Sequence, residues 1–185
     1  MNTGGRLALY PVRFARRTAA APIDYLLNLT TTKTMTDNSP TVDNLNKLIA
    51  TNYDGERGYK EAAEEVKDTR LKSWFREYSQ QRYDFGHELK SEIRQLGGEV
   101  EKGTTLAADA HRLFLDIKSF IAGNSEEAVL NEVIRGEKTA IERYDEVLGD
   151  TALPASTRTV VARQRSQIQA ALSKIEELEK NFASA

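Results

Sequence analysis

Residues 69–98 read TRLKSWFREYSQQRYDFGHELKSEIRQLGG. Leu71, Trp74, Phe75, Tyr78, Phe85, Leu89, Ile93 and Leu96 recur at intervals of three and four, the spacing that places side chains on one face of an α-helix. Gly97-Gly98 then supplies a C-terminal stop. The intervening positions are mostly charged or amide side chains, so the segment predicts a helix with one buried face and one wet one. Such a helix is incomplete alone and demands neighbours of the same kind.

Those neighbours follow on both sides. Leu45, Leu48, Tyr59, Ala63 and Val66 mark a helix over about 41–66. Leu106, Ala110, Leu113, Phe114, Ile117 and Ile121 mark another over about 105–122, closed by Gly123. Ser125 as N-cap, with Glu126 and Glu127 in the first turn, opens a helix carrying Leu130, Val133, Ile134, Ile141, Tyr144 and Leu148 up to Gly149. From about Pro154 to Phe182 a last helix shows Val161, Ile168, Leu172, Ile175 and Leu178. No segment has the alternation of a strand. The fold class expected is all-α: an antiparallel four-helix bundle over 41–150 with an additional C-terminal fifth helix over 151–185, packing on the bundle or on a partner.

Residues 1–40 contain Pro11, Pro22 and Pro40, Gly4-Gly5 and a threonine run, and lack a sustained helical period. They read as a weakly ordered extension. Their Arg-rich, acid-poor character resembles a transit peptide, yet Met35 stands directly before a polar lead-in and is the preferred start. Five basic residues and one acid lie before Met35, which leaves the rest of the chain acidic although the whole carries only −2. An acidic body repels a phosphate backbone, so no nucleic acid is expected as partner. No apolar run approaches a membrane span. The absence of cysteine excludes disulfides and thiolate chemistry and suits the cytoplasm, and two histidines exclude a three-histidine zinc site.

The chemistry-bearing candidates are the polar residues that interrupt the apolar stripes. Asn52, Gly55 and Glu56 interrupt the first helix, Gln81 and Arg82 the second, and Glu137 the one after Ser125; His111 borders the stripe of the 105–122 helix. A buried carboxylate needs a partner, since an unpaired one costs several kcal/mol or is neutralised. Two partners are open. One is a metal held by Glu56, His111 and Glu137; the other is a buried polar network of Asn52, Gln81 and Arg82 with tyrosine hydroxyls. Glu56 and Glu137 are expected to approach one another across the interior, with Arg82 or His111 beside them. Gly55, Gly58 and Gly136 each cost about 1 kcal/mol within a helix, which points to close packing against Trp74, Phe75 or Phe114.

Leu45-Asn46-x-Leu48-Ile49, Asp54-Gly55-x-x-Gly58-Tyr59, Ala62-Ala63-Glu64, Leu96-Gly97-Gly98, His111-Arg112 and Gly136-Glu137 with Tyr144, in that order and spacing, resemble the bacterial ferritin-like proteins of domain of unknown function 2383. The resemblance runs from about Val42 to Leu178 and implies a ferritin-like bundle, with the longer connection after the second helix. Di-iron members of the wider superfamily use one Glu from each of two helices and a Glu-x-x-His pair from each of two others. Here Gln81-Arg82-Tyr83-Asp84 stands where one such pair would fall, and Glu137-Lys138-Thr139-Ala140 lacks the histidine of the other. A di-iron site is therefore not expected. The expected function is that of a non-catalytic, stress-associated bundle acting by interaction, with no cofactor and with a homodimer through the C-terminal helix as one option. The alternative is a metal-binding or redox protein holding a single iron, manganese or zinc ion.

Overall fold

The computed structural model describes residues 38–101 and 125–183. Four α-helices lie within them: α1 Ser39–Glu65, α2 Thr69–Gln95, α3 Glu126–Gly149 and α4 Ala155–Ala183. No strand occurs among the described residues. The first 37 residues, and the helix expected over 105–122 with His111 on it, fall outside them.

Local chemistry sets the helix ends. Pro40 sits in the first turn of α1, where its missing N–H costs nothing, so the helix starts inside the polar lead-in. Asp68 caps α2 by accepting from the N–H groups of Arg70 at 2.7 Å and Leu71 at 3.1 Å. At the far end Gly97 adopts a φ of +75°, open mainly to glycine. Gly98 N–H then reaches the Ile93 carbonyl and Gly97 N–H that of Arg94, both at 3.0 Å. Ser125 Oγ accepts from Ala128 N–H at 3.3 Å to open α3. Glu126 does more than favour the helix dipole: its Oε1 accepts from the N–H groups of Lys67 and Asp68, at 2.8 and 2.7 Å, and fastens the α1–α2 turn to the start of α3. Arg158, in the first turn of α4, donates to the carbonyls of Leu148 and Asp150 and satisfies the end of α3.

Short turns make α1–α2 and α3–α4 antiparallel pairs. Bonds from Asn44 to Asp150, from Asn52 to Tyr144 and from Lys67 to Glu126 run α1 antiparallel to α3. Thr157 to Glu92 and Arg163 to Glu88 do the same for α4 and α2. The helices thus occupy the corners of a square in the order α1, α2, α4, α3, with α2 and α3 diagonal, parallel and out of direct backbone contact. Most of the residues between α2 and α3, 102–124, fall outside the described ones, and with them the expected long connection after the second helix.

The C-terminal helix corrects one expectation. Among the described residues α4 is the fourth wall of the bundle rather than a fifth helix added to it. Its Val161, Ile168 and Leu172 share one core with Leu45, Leu48 and Ile49 of α1, Phe85, Leu89 and Ile93 of α2, and Tyr144 and Val147 of α3. A second core at the opposite end gathers Tyr59, Ala62 and Ala63, Leu71 and Phe75, Val129 and Leu130, and Ile175. Between the two lies a belt of polar side chains.

Past α2 the chain folds back on the start of α1. Asn46 holds it there, donating to the Glu99 carbonyl at 3.3 Å and accepting from Glu101 N–H at 3.1 Å. Gly98 lies so close to Val42 that a Cβ on it would overlap the valine methyls. Gly98→Ala is therefore expected to lower stability by about 1–3 kcal/mol. Urea denaturation checks this, and Val42→Ala in the same chain should recover part of the loss.

Candidate functional site

All four helices contribute to the polar belt. Asn52 comes from α1, Ser79 and Arg82 from α2, Glu137 and Tyr144 from α3, and Gln164 from α4, and every one is buried. Arg82 and Glu137, 1% and 3% exposed, form an ion pair between Arg82 Nη2 and Glu137 Oε2 that spans the α2–α3 diagonal. The Arg82 stem passes over Gly55 of α1, where an added Cβ would stand 3.4 Å from Arg82 Cγ, and its guanidinium lies 5.7 Å from the centre of the Phe85 ring. Gly55 is thus a close-packed glycine, as expected, but its neighbour is Arg82 rather than an aromatic ring.

Burial dominates the electrostatics. It pushes the Glu137 carboxyl above its ordinary value, with the Arg82 guanidinium offsetting only part of that rise. Burial works against the Arg82 charge too, yet Glu137 holds the guanidinium above its usual range. The Tyr59 hydroxyl, beside the pair, is raised well above a free phenol by burial and by the Glu137 charge, and stays protonated. Arg82 Nη1 is buried and makes no hydrogen bond, while Tyr59 Oη stands beside Glu137 and interacts with it short of good hydrogen-bond geometry.

A second string of bonds crosses the belt. Asn52 Nδ2 donates to Tyr144 Oη at 2.7 Å, and Tyr144 donates to Gln164 Oε1 at 2.7 Å. Gln164 Nε2 then donates to the Phe85 carbonyl at 3.3 Å and to Glu88 at 2.7 Å. The string runs α1, α3, α4, α2 and ties each helix to the next.

Of the residues singled out from the sequence, Arg82 and Glu137 meet. Asn52 belongs to the second string. Gln81 is half-buried and joins neither, its Oε1 buried without a partner. Glu56 departs from expectation: it does not approach Glu137 but pairs with Lys60 one turn along α1, while its backbone carbonyl accepts from Ser79 Oγ at 3.0 Å. The reason is helical phase. The face of α1 toward α3 passes through Asn52, Gly55 and Tyr59, and Glu56 is rotated by about 100° from Gly55. His111 lies outside the described residues, and among those described no group of three His, Cys, Asp or Glu side chains is placed to hold a metal. His87 is exposed and rests on the Tyr83 ring, 4.4 Å between centres. Sequence reading placed tyrosine hydroxyls in such a network without saying which, and gave Gln164 no place in it. An amide amid an apolar stripe was the available signal.

Beside the ion pair, between α1 and α3, is a cavity of about 330 Å³ whose wall includes Gly55, Gly58, Tyr59, Arg82, Gly136 and Glu137. Gly58 and Gly136 depart from the close-packing expectation, because a Cβ on either would meet nothing within 4 Å.

The sequence model of domain of unknown function DUF2383 matches residues 40–150, and the chain belongs to that family. The match covers α1, α2, α3 and the residues between them; α4 follows it. No curated protein matches the chain.

The ion pair makes a signed prediction. With its folded value above the ordinary 4.5, Glu137 binds a proton more tightly folded than unfolded. Its contribution to stability is complete below that value and is lost as pH rises through the raised one. Arg82→Met removes the cation paired with Glu137 and should destabilise by about 3–5 kcal/mol at pH 8 but less at pH 5, where the carboxyl can take a proton. Glu137→Gln strands a guanidinium that stays charged at both, so its loss should show no such relief. Urea titrations at the two pH values separate these outcomes. Tyr144→Phe cuts the second string and should cost about 1–3 kcal/mol in the same assay.

Proposed function

We propose that this DUF2383 protein is a non-catalytic helical bundle that works in the cytoplasm by interaction with other macromolecules. The observation that carries this reading is the pairing of Glu137 with Arg82. The interior carboxylate best placed to bind a metal already holds a cation of the protein's own, and Glu56 holds another in Lys60. A raised carboxyl also suits a general acid, but burial explains the rise without catalysis.

The outer faces support contact of a polar kind. Among the described residues the large apolar side chain most open to solvent is Tyr83, at 41%, and the surface carries charged pairs such as Arg165–Asp145 and Lys138–Glu176. No described helix is long and apolar enough to cross a membrane. Partners of this surface would be held by charge and released by salt.

Metal analysis tests the reading. Protein purified from cells supplied with iron, manganese and zinc, and titrated anaerobically with ferrous iron, is expected to show no saturable stoichiometric binding. Near-stoichiometric metal that disappears in Glu137→Gln would overturn it, in favour of a single-ion site built from Glu56, His111 and Glu137.

A further inference from the structure

The outer face of α2 carries a charge pattern that the bundle itself does not use. At about 100° per residue, Lys72, Arg76, Tyr83, His87, Lys90 and Arg94 fall within an arc of about 60° and form a stripe roughly 33 Å long. All six are half-buried or exposed. None of the four cations has an ion-pair partner among the described residues. Arg76, Lys90 and Arg94 have no acid three or four residues away along α2 to supply one. Asp68, four residues before Lys72, is engaged as the N-cap and with Arg70.

Acids border the stripe, and most of them are engaged. Glu88 pairs with Arg163 of α4, and Asp84 accepts from Gln80 Nε2 at 2.9 Å. On the other side Glu56 of α1, brought alongside by the bond from Ser79 to its carbonyl, pairs with Lys60. Glu77 lies about 80° round the helix from His87. The result is a line of uncompensated positive charge one helix face wide. Its centre is aromatic: the ring of Tyr83 rests against His87 at 4.4 Å between centres, and Lys90 Nζ lies 4.8 Å from the centre of the Tyr53 ring of α1. Tyrosine and arginine are enriched where protein partners anchor.

Width and charge select the partner. A duplex nucleic acid or a membrane surface is broader than one helix face and would press its negative charge on Glu77, Asp84 and Glu56 as well. A single helix, about 10–12 Å across, meets the stripe alone. An extended peptide would bring free backbone donors and acceptors to a helix whose own are already bonded, whereas a helical segment arrives with them satisfied.

We propose that the outer face of α2 is a docking surface for an acidic helix of a partner protein. Lys72 and Arg76 receive carboxylates at one end, Lys90 and Arg94 receive them at the other, and an apolar residue between covers Tyr83. The two cation pairs stand about 27 Å apart along the axis, so the partner's acidic clusters are separated by about 18 helical residues. This assignment rests on the reading of the protein as one that acts by interaction, and adds to it the surface and the class of partner.

Two helical peptides of alanine and glutamine, each about 22 residues long to match the stripe, serve as probes of the full-length chain. One carries two glutamates in each terminal turn and a central leucine; the other has lysines in place of the glutamates. Each is titrated into ¹⁵N-labelled protein at about 0.1 M salt, where charges more than about 10 Å away are largely screened. The acidic peptide is expected to move the amide resonances of Gln80, Tyr83, His87 and Ser91 with saturation, and the lysine peptide to leave them in place. Lys90→Glu/Arg94→Glu should weaken the acidic peptide about tenfold or more, the equivalent of about 1.4 kcal/mol. Lys72→Glu/Arg76→Glu makes the same test at the other end if the first variant does not fold. Lys47→Glu/Lys67→Glu, an equal change of charge away from the stripe, should leave the affinity within about twofold. No saturable shift on α2 overturns the proposal, as does an equal loss in Lys47→Glu/Lys67→Glu. So does a DNA duplex or a phosphatidylserine vesicle that moves the same resonances at lower concentration than the acidic peptide, which would give the stripe to a nucleic acid or a membrane. A response confined to another face, or to the arginine-rich first 34 residues, takes the site from α2 while the broader reading stands. Stoichiometric metal, measured separately, decides that broader reading without bearing on this map.

Discussion

A guanidinium from α2 and a carboxylate from α3, both buried, meet across the diagonal of the bundle. Either charge alone would cost several kcal/mol to bury, so each is tolerable only with the other in place. That requirement propagates outward. Arg82 must lie along α1, which explains a glycine at position 55, and α2 and α3 must hold a register in which residues 82 and 137 stand at one height. The pair also falls between the two hydrophobic cores, so the apolar faces of the helices are divided at mid-length rather than continuous.

A buried ion pair is weak evidence for added stability, because apolar residues of similar volume would commonly do as well. Its better-attested use is to set register, and the second polar string reinforces it here. An apolar stripe packs nearly as well when one helix slides by a turn against its neighbour. Asn52, Tyr144 and Gln164 do not, since each would leave a donor or acceptor buried without a partner. The diagonal pair and the string around the edges together define the heights of all four helices.

The belt is also where the packing is least complete. Gly58 and Gly136 each give up helix stability compared with alanine, and the space around them shows that no neighbouring side chain demands it. The same wall carries Arg82 Nη1 without a partner.

The periodicity of the chain by itself determined that the described helices form, where they end and which residues are buried. Leu45, Leu89 and Ile168 face the core as their spacing requires, and Asp68, Gly97 and Ser125 stop or start helices through bonds within a few residues of themselves. Local chemistry of this kind is fully written in neighbouring residues. It also singled out Asn52, Arg82 and Glu137 as polar interruptions of an apolar face. Only the tertiary structure decided which interruption meets which, because partnership depends on helix order, direction and rotation, and a rotation of one residue carries Glu56 away from the interior toward Lys60. The same holds for the tyrosines: spacing buries Tyr59 and Tyr144, but whether a buried hydroxyl is satisfied is settled by the helix that packs against it.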